Sequence, residues 1–161
     1  MSGLNGRMVV SSGGHANGDR IFSGGIEQVL SGGVVTGTFV SGLGGASASE
    51  VLNSGSVANN TSVDSGGRTL VSGGTTSNAV ISSGGSELVF LGGTASNTTI
   101  IGGSATVSSG GTLTSATISG GGAVEVKSSG IAGAIAISSG TLILDDSAHF
   151  SGTVIGLANA N

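Results

Sequence analysis

The stretch from Val71 to Gly85, with the sequence VSGGTTSNAVISSGG, contains two glycine pairs, and this unit returns along most of the chain. The first glycines of successive pairs are Gly66, Gly73, Gly84, Gly92, Gly102, Gly110 and Gly121. The intervals alternate between a short one of 7 or 8 residues and a long one of 10 or 11, so two intervals together span 18 or 19 residues. A repeat of this length is typical of a solenoid, in which one structural unit stacks on its copies.

Apolar residues recur at fixed distances after the glycine pairs. Four residues after the second glycine, the short segments place Val29, Val71, Val89, Val107, Val126 and Leu144. Seven residues after it, the long segments place Ile21, Val40, Val63, Ile81, Ile100, Ile118 and Ile137. Because alternate residues of a strand point to opposite faces, these columns predict short strands with one buried face.

The fourth residue of each long segment predicts a further corner. This position holds Gly18, Gly37, Asn60, Asn78, Asn97, Ser115 and Ala134. Glycine and asparagine are the residues that best tolerate a left-handed backbone. We therefore predict three strands in each coil and a roughly triangular cross-section, with a flattened coil of two sheets as the alternative.

These patterns together predict an all-β fold, a right-handed parallel β-helix of about seven coils with 18–20 residues in each. Residues 1–161 form a single solenoid domain in this interpretation, with regular repeats over 9–146 and a partial coil or C-terminal cap over 147–161. Extra residues between Ser41 and Val51 disturb the register once. We expect Val51 to take the inward position of the valine column there.

The composition excludes several classes of function. The net charge is −4, and the basic residues are only Arg7, Arg20, Arg68 and Lys127, so nucleic-acid binding is not expected. No run of about 20 apolar residues is present, so no transmembrane segment is expected. The first seven residues lack the apolar core of an export signal.

The ionisable residues predict no catalytic, cofactor or metal site. Glu27 and Glu87 share one repeat position about three coils apart, and Glu50 follows the irregular segment. We expect all three to be solvated carboxylates on the outer face. His15 and His149 fall at opposite ends of the predicted rod, so they cannot share a metal ion. A non-enzymatic protein is therefore expected, since only fold analogy supports a carbohydrate-active enzyme.

Serines precede many of the glycine pairs, and Ser65, Ser72, Ser83 and Ser109 do so in the most regular context. We expect these four residues to stand at exposed corners, in rows along the rod. Serine is common in turns because its hydroxyl bonds the local backbone, which gives a purely structural interpretation. The alternative is that the rows are acceptors for sugar.

Residues 71–85 and 91–100 resemble the repeat of AIDA-type autotransporter adhesins, and the resemblance extends over roughly residues 9–146. It implies an extracellular passenger domain on the bacterial cell surface that serves adhesion, autoaggregation and biofilm formation. It also implies O-glycosylation with heptose by a dedicated glycosyltransferase. The best-matching acceptors are Ser65, Ser72, Ser83 and Ser109, and Ser23, Ser31 and Ser54 match less completely. The partners so implied are a host or bacterial surface, another copy of the chain and a heptosyltransferase.

A self-assembling structural protein is the second hypothesis. The ends of a parallel solenoid expose unpaired strand edges, which need a cap or a partner. Coils of neighbouring molecules would then stack end to end into a filament.

Overall fold

The computed structural model describes residues 6–42, 45–146 and 150–156. These residues form 21 short strands and contain no helix that could cross a membrane. The strands pair in parallel with their copies one coil away. The chain is therefore an all-β parallel solenoid, as predicted, with about 19 residues per turn.

The first face of the solenoid is one eight-stranded sheet. Its strands, in their order across the sheet, are β1 (Arg7–Val10), β4 (Ile26–Val29), β7 (Ala48–Leu52), β10 (Gly67–Ser72), β13 (Ser86–Phe90), β16 (Ser104–Val107), β18 (Gly122–Val126) and β20 (Gly140–Leu144). Eight strands in one face mean about eight turns, one more than the sequence repeat predicts.

The long segment of each coil supplies two further rows of strands. The first row contains β2 (His15–Asn17), β5 (Val34–Thr36), β8 (Val57–Asn59), β11 (Thr75–Ser77) and β14 (Thr94–Ser96). The second row contains β3 (Arg20–Phe22), β6 (Phe39–Ser41), β9 (Ser62–Val63), β12 (Val80–Ser82) and β15 (Thr98–Ile101). The two rows merge in the later strands β17 (Thr112–Ser119) and β19 (Ile131–Ile137), and β21 (Thr153–Ile155) pairs with β19.

The apolar columns stack inside the coil, as the sequence predicts. In the first sheet Val71 lies opposite Val89, Val89 opposite Val107, and Val107 opposite Val126. All four side chains are buried. Each buried methylene contributes about 0.8 kcal/mol, so these columns are the main source of stability.

The third corner forms where asparagine occupies it. Asn60, Asn78 and Asn97 have φ values of 57°, 56° and 55°, which confirms the predicted left-handed turn. Their side chains form a ladder: Asn97 Nδ2 donates to Asn78 Oδ1, and Asn78 Nδ2 donates to Asn60 Oδ1, each at 3.4 Å. The ladder fixes the corner at the same position in three successive coils.

The predicted corner is absent at Ser115 and Ala134, where β17 and β19 run straight through. Neither residue has a positive φ. Serine and alanine pay a steric cost in the left-handed region that glycine and asparagine avoid, so the backbone remains extended here. The two last complete coils therefore differ in shape from those before them.

The inward position after the irregular segment is taken by Leu52 and not by Val51, so the prediction for Val51 is wrong. Leu52 lies opposite Val29 and Val71 and is fully buried, whereas Val51 faces outward opposite Gln28 and Leu70. A shift of one residue exchanges the two faces of a strand. The same shift turns Glu50 inward.

Candidate functional site: corner serines and a buried carboxyl column

Three of the four predicted acceptor serines stand at exposed corners. Ser65, Ser83 and Ser109 are exposed, and each precedes a glycine with positive φ: 72° at Gly66, 76° at Gly84 and 75° at Gly110. Glycine adopts this left-handed conformation without a steric penalty. The turn therefore presents the serine hydroxyl at its outer edge.

The corner serines form rows, because the glycine of one coil leaves room for the serine of the coil before it. A Cβ atom on Gly84 would lie 2.9 Å from Ser65 Oγ, and one on Gly102 would collide with Ser83 Oγ. On the other edge, a Cβ on Gly55 would lie 2.9 Å from Ser31 Oγ. Glycine is thus favoured at these corners for two reasons. It adopts the left-handed turn, and it leaves space for the serine hydroxyl of the neighbouring coil.

Ser72 occupies a different position from the other three. It is the last residue of β10, is half-buried and lies opposite Phe90 in β13. The corner after it is one residue shorter than its neighbours, since Ser72 precedes Gly73 directly whereas Leu91 separates Phe90 from Gly92. Of the serines that match less completely, Ser31 and Ser54 are exposed and Ser23 is half-buried.

The second feature is a column of carboxyl groups inside the coil. In the first sheet Glu27 lies opposite Glu50, Glu50 opposite Thr69, and Thr69 opposite Glu87. The three glutamates are 0%, 0% and 1% exposed, so the expectation that they are solvated is wrong. Each glutamate lies two residues before an inward apolar residue (Val29, Leu52 or Val89) and therefore points the same way.

Threonine hydroxyls satisfy two of these carboxyl groups. Glu50 accepts hydrogen bonds from Thr61 and Thr69, each at 3.1 Å. Glu87 accepts them from Thr76 at 2.9 Å and Thr98 at 3.1 Å. Buried polar groups are stable only when they are paired in this way.

Burial raises the pKa of all three glutamates. The pKa of Glu50 rises to about 8, first because of burial and then because of the negative charge of Glu27, while the bonds from Thr61 and Thr69 lower it. The pKa of Glu87 is raised by burial and lowered by its two threonine bonds. Burial raises the pKa of Glu27 to about 7, while a side-chain hydrogen bond with Thr38 lowers it and the charge and hydrogen bond of Asp19 raise it further.

Glu27 has the least complete surroundings of the three. Within the described residues, the buried side-chain oxygens without a hydrogen bond of standard geometry are Glu27 Oε1 and Oε2, Asp19 Oδ2 and Thr38 Oγ1. These atoms belong to one neighbourhood, since both Asp19 and Thr38 act on the pKa of Glu27.

A sequence signal for this column exists in the spacing of glutamate and threonine. Glu27 and Thr38, Glu50 and Thr61, and Glu87 and Thr98 are all eleven residues apart. Thr38, Thr61 and Thr98 occupy a buried position one residue before strands β6 and β9 and at the start of β15. The spacing thus places a hydroxyl across the interior from each carboxyl group.

The remaining ionisable residues form no catalytic constellation in the part of the chain that the structure describes. No three His, Cys, Asp or Glu side chains converge there on a point suited to a metal ion. His15 is exposed on β2, and His149 lies outside the described residues. We therefore take the corner serines and the carboxyl column as the two candidate sites.

Comparison with known proteins identifies a solved structure that this chain resembles. No family model and no curated protein matches the chain. A solved structure, the crystal structure of a TibC-catalysed hyper-glycosylated TibA fragment, matches with a TM-score of 0.75 and 37% sequence identity. The match covers 81% of this chain and 47% of that fragment, so the chain spans about half its length. The two share the parallel solenoid fold.

Proposed function

We propose that this chain is a non-enzymatic segment of a bacterial surface adhesin, an extracellular passenger repeat block that mediates adhesion or autoaggregation. The observation that carries the proposal is the similarity to the hyper-glycosylated TibA fragment, at 37% identity over 81% of the chain. The resemblance of the repeat to AIDA-type adhesins supports the same conclusion. Because the described residues contain no clustered set of reactive side chains, we take the repeated surface itself as the functional element.

Glycosylation of the corner serines is the second part of the proposal. Ser65, Ser83 and Ser109 are exposed at turns formed by left-handed glycines, so their hydroxyls are accessible to a glycosyltransferase of the TibC kind. Ser31 and Ser54 share that geometry and are added as acceptors. Ser72 is expected to be modified less, because it is half-buried at the end of a strand.

The acceptor assignment is tested by co-expressing the chain with a glycosyltransferase of the TibC kind and measuring its intact mass. Replacing Ser65, Ser83 and Ser109 with alanine should remove one sugar mass for each replaced serine. The matched control replaces Ser49, Ser86 and Ser104, which occupy a single outward column on strands β7, β13 and β16. An equal loss of sugar from the strand variant would contradict the assignment.

Adhesion is tested separately by displaying the block on the surface of a non-adherent bacterium. Settling of the cells and binding to epithelial cells should increase relative to a strain that displays an unrelated protein. Unchanged settling and unchanged binding would refute the adhesin proposal, whether or not the serines carry sugar.

A further inference from the structure

The outer face of the first sheet carries a column of aliphatic side chains at its centre. Val51 lies opposite Leu70, and Leu70 lies opposite Leu88, and all three side chains are half-buried. Phe90, two residues after Leu88, points outward from the same strand. A contiguous apolar strip on the surface of a soluble domain is typical of a site that binds another protein.

Charged side chains lie around this strip rather than within it. Among the outward residues of β7, β10, β13 and β16, only Arg68 is charged. The next charged residues of the face are Arg7 on β1 and Glu125 on β18, with Lys127 directly after β18. A centre depleted of charge and a charged rim are the composition of a protein–protein interface.

The size of the face fits an interface between two copies of the chain. Eight strands about 4.8 Å apart, with about five residues of about 3.3 Å in each, give a face of roughly 600 Å². Two such faces bury roughly 1,200 Å² in total, which is the lower limit for a specific and stable interface. A second copy brings the same strip at the same strand spacing, so aliphatic side chains would meet aliphatic side chains.

We propose that two copies of this chain associate face to face through the first sheet, with antiparallel solenoid axes and with β10 of one copy opposite β13 of the other. In this arrangement Leu70 of each copy faces Leu88 of the other copy. Sheets that pack face to face lie about 10 Å apart, so these side chains interdigitate. The inference rests on the proposed autoaggregation and names the surface that mediates it.

Charge selects this arrangement from the alternatives. Arg68 faces Ser86 of the second copy, and Glu125 faces Gln28 of the second copy. With parallel axes, each strand would face its own counterpart, and Glu125 would meet Glu125. An antiparallel arrangement centred on β10 would bring Arg68 against Arg68. Like charges in contact oppose association, and the arrangement centred between β10 and β13 avoids both contacts.

The corner serines remain accessible in this dimer. Ser65 and Ser83 precede β10 and β13, and Ser109 follows β16, so the three serines border the face on its two sides. Sugar on these serines would flank the interface without entering it. Self-association and glycosylation therefore use different surfaces of the same coils.

Sedimentation equilibrium of the purified, unglycosylated chain tests the proposal. The wild-type chain should form a dimer with a Kd of roughly 1–100 µM, as expected for an interface of this small area. Leu70→Lys should raise the Kd about tenfold or more, because an ammonium group then lies against Leu88 of the other copy. Val80→Lys is the matched control, since Val80 is a half-buried outward residue of β12 on another face of the same coil, and it should leave the Kd unchanged.

The double variant Leu70→Lys, Leu88→Glu tests the antiparallel order. Opposite charges then face each other across the interface, so the Kd should return towards the wild-type value, whereas parallel axes would bring like charges together. A wild-type chain that remains monomeric would overturn the proposal without reference to any variant. A dimer that persists in Leu70→Lys, or a folded double variant that stays monomeric, would also overturn it.

Settling of cells that display the block separates this inference from the adhesin proposal. Settling of the Leu70→Lys strain at the wild-type rate would overturn the interface and leave the adhesin proposal standing. A wild-type dimer in solution, together with unchanged settling and unchanged binding of the cells, would refute the adhesin proposal and support the interface alone.

Discussion

The interior of the solenoid has two chemically different parts, although the backbone repeats. Along the inward column of the first sheet, the residues from β4 to β13 are Glu27, Glu50, Thr69 and Glu87. From β16 to β20 the same column holds Ala105, Val124 and Leu142. Across the interior, Thr38, Thr61 and Thr98 give way to Ala116 and Ile135.

The two parts are held together by different forces. In the polar part, buried carboxyl groups depend on threonine hydrogen bonds, whose net contribution is about 1 kcal/mol each, and on remaining uncharged. In the apolar part, stability comes from burial of aliphatic side chains, which does not depend on protonation. The Gly-Gly corners therefore specify the coil, while the residues of the inward column determine whether its stability depends on pH.

The largest expected effect is a loss of stability as the pH rises, and it should arise in the polar part. The pKa of Glu50 is about 8 in the folded chain against 4.5 when unfolded, so folding favours its protonated form. Its stabilising contribution is complete below pH 4.5 and is lost as the pH rises to about 8. This shift corresponds to roughly 5 kcal/mol. Urea unfolding at pH 4.5 and pH 8 measures the difference.

The control for this prediction is Glu50→Gln, which retains the shape and the threonine contacts but does not titrate. The variant should match the wild-type chain at pH 4.5 and exceed it in free energy of unfolding at pH 8. Glu125→Gln serves as a reference, because Glu125 lies outward beside Lys127 at 3.6 Å. Equal pH dependence of the wild-type chain and Glu50→Gln would refute the role of the buried carboxyl group.

The contrast between the parts also shows what sequence reasoning can reach. Glycine spacing and the valine column predict the coil, the parallel stacking and the inward faces, because these features depend on steric rules that hold at every repeat. The position of Glu50 escapes such reasoning, since a single extra residue decides whether Val51 or Leu52 points inward. The inward orientation of Glu27 and Glu87 could have been predicted, because each lies two residues before an inward valine (Val29 or Val89) and residues two apart on a strand share a face.

The corner serines illustrate a second limit. Ser72 and Ser83 both precede a glycine pair, but only Ser83 is exposed at the turn. The difference arises from one missing residue in the corner after β10: the Ser-Gly-Gly motif is the same at both serines, and only the distance from the valine column differs, with two residues from Val71 to Gly73 against three from Val89 to Gly92. The pairing of Ser72 with Phe90 confirms that Ser72 belongs to the strand.

Truncation of the apolar part should have the next largest effect. Ile118 is fully buried in β17, between Ile100 and Ile137 in neighbouring coils. Ile118→Ala should lower the free energy of unfolding by about 2–5 kcal/mol, through lost burial and a residual cavity. Because no titrating group is involved, the loss should be the same at pH 4.5 and pH 8 in urea unfolding. A loss that doubles between the two pH values would mean that the two parts are not energetically distinct.

The smallest effect concerns the third corner, where substitution by glycine should leave the free energy of unfolding nearly unchanged in the polar part and lower it in the apolar part. Asn78 is left-handed with a φ of 56°, so Asn78→Gly should be nearly neutral, while Asn78→Ala should cost about 1 kcal/mol. Ala134 lies within the extended strand β19, so Ala134→Gly should cost about 0.5–1 kcal/mol through chain entropy. Urea unfolding of the three variants at pH 4.5 separates these values. A loss in Asn78→Gly as large as in Asn78→Ala would indicate that the side-chain ladder from Asn60 to Asn97, rather than the backbone conformation, fixes the corner.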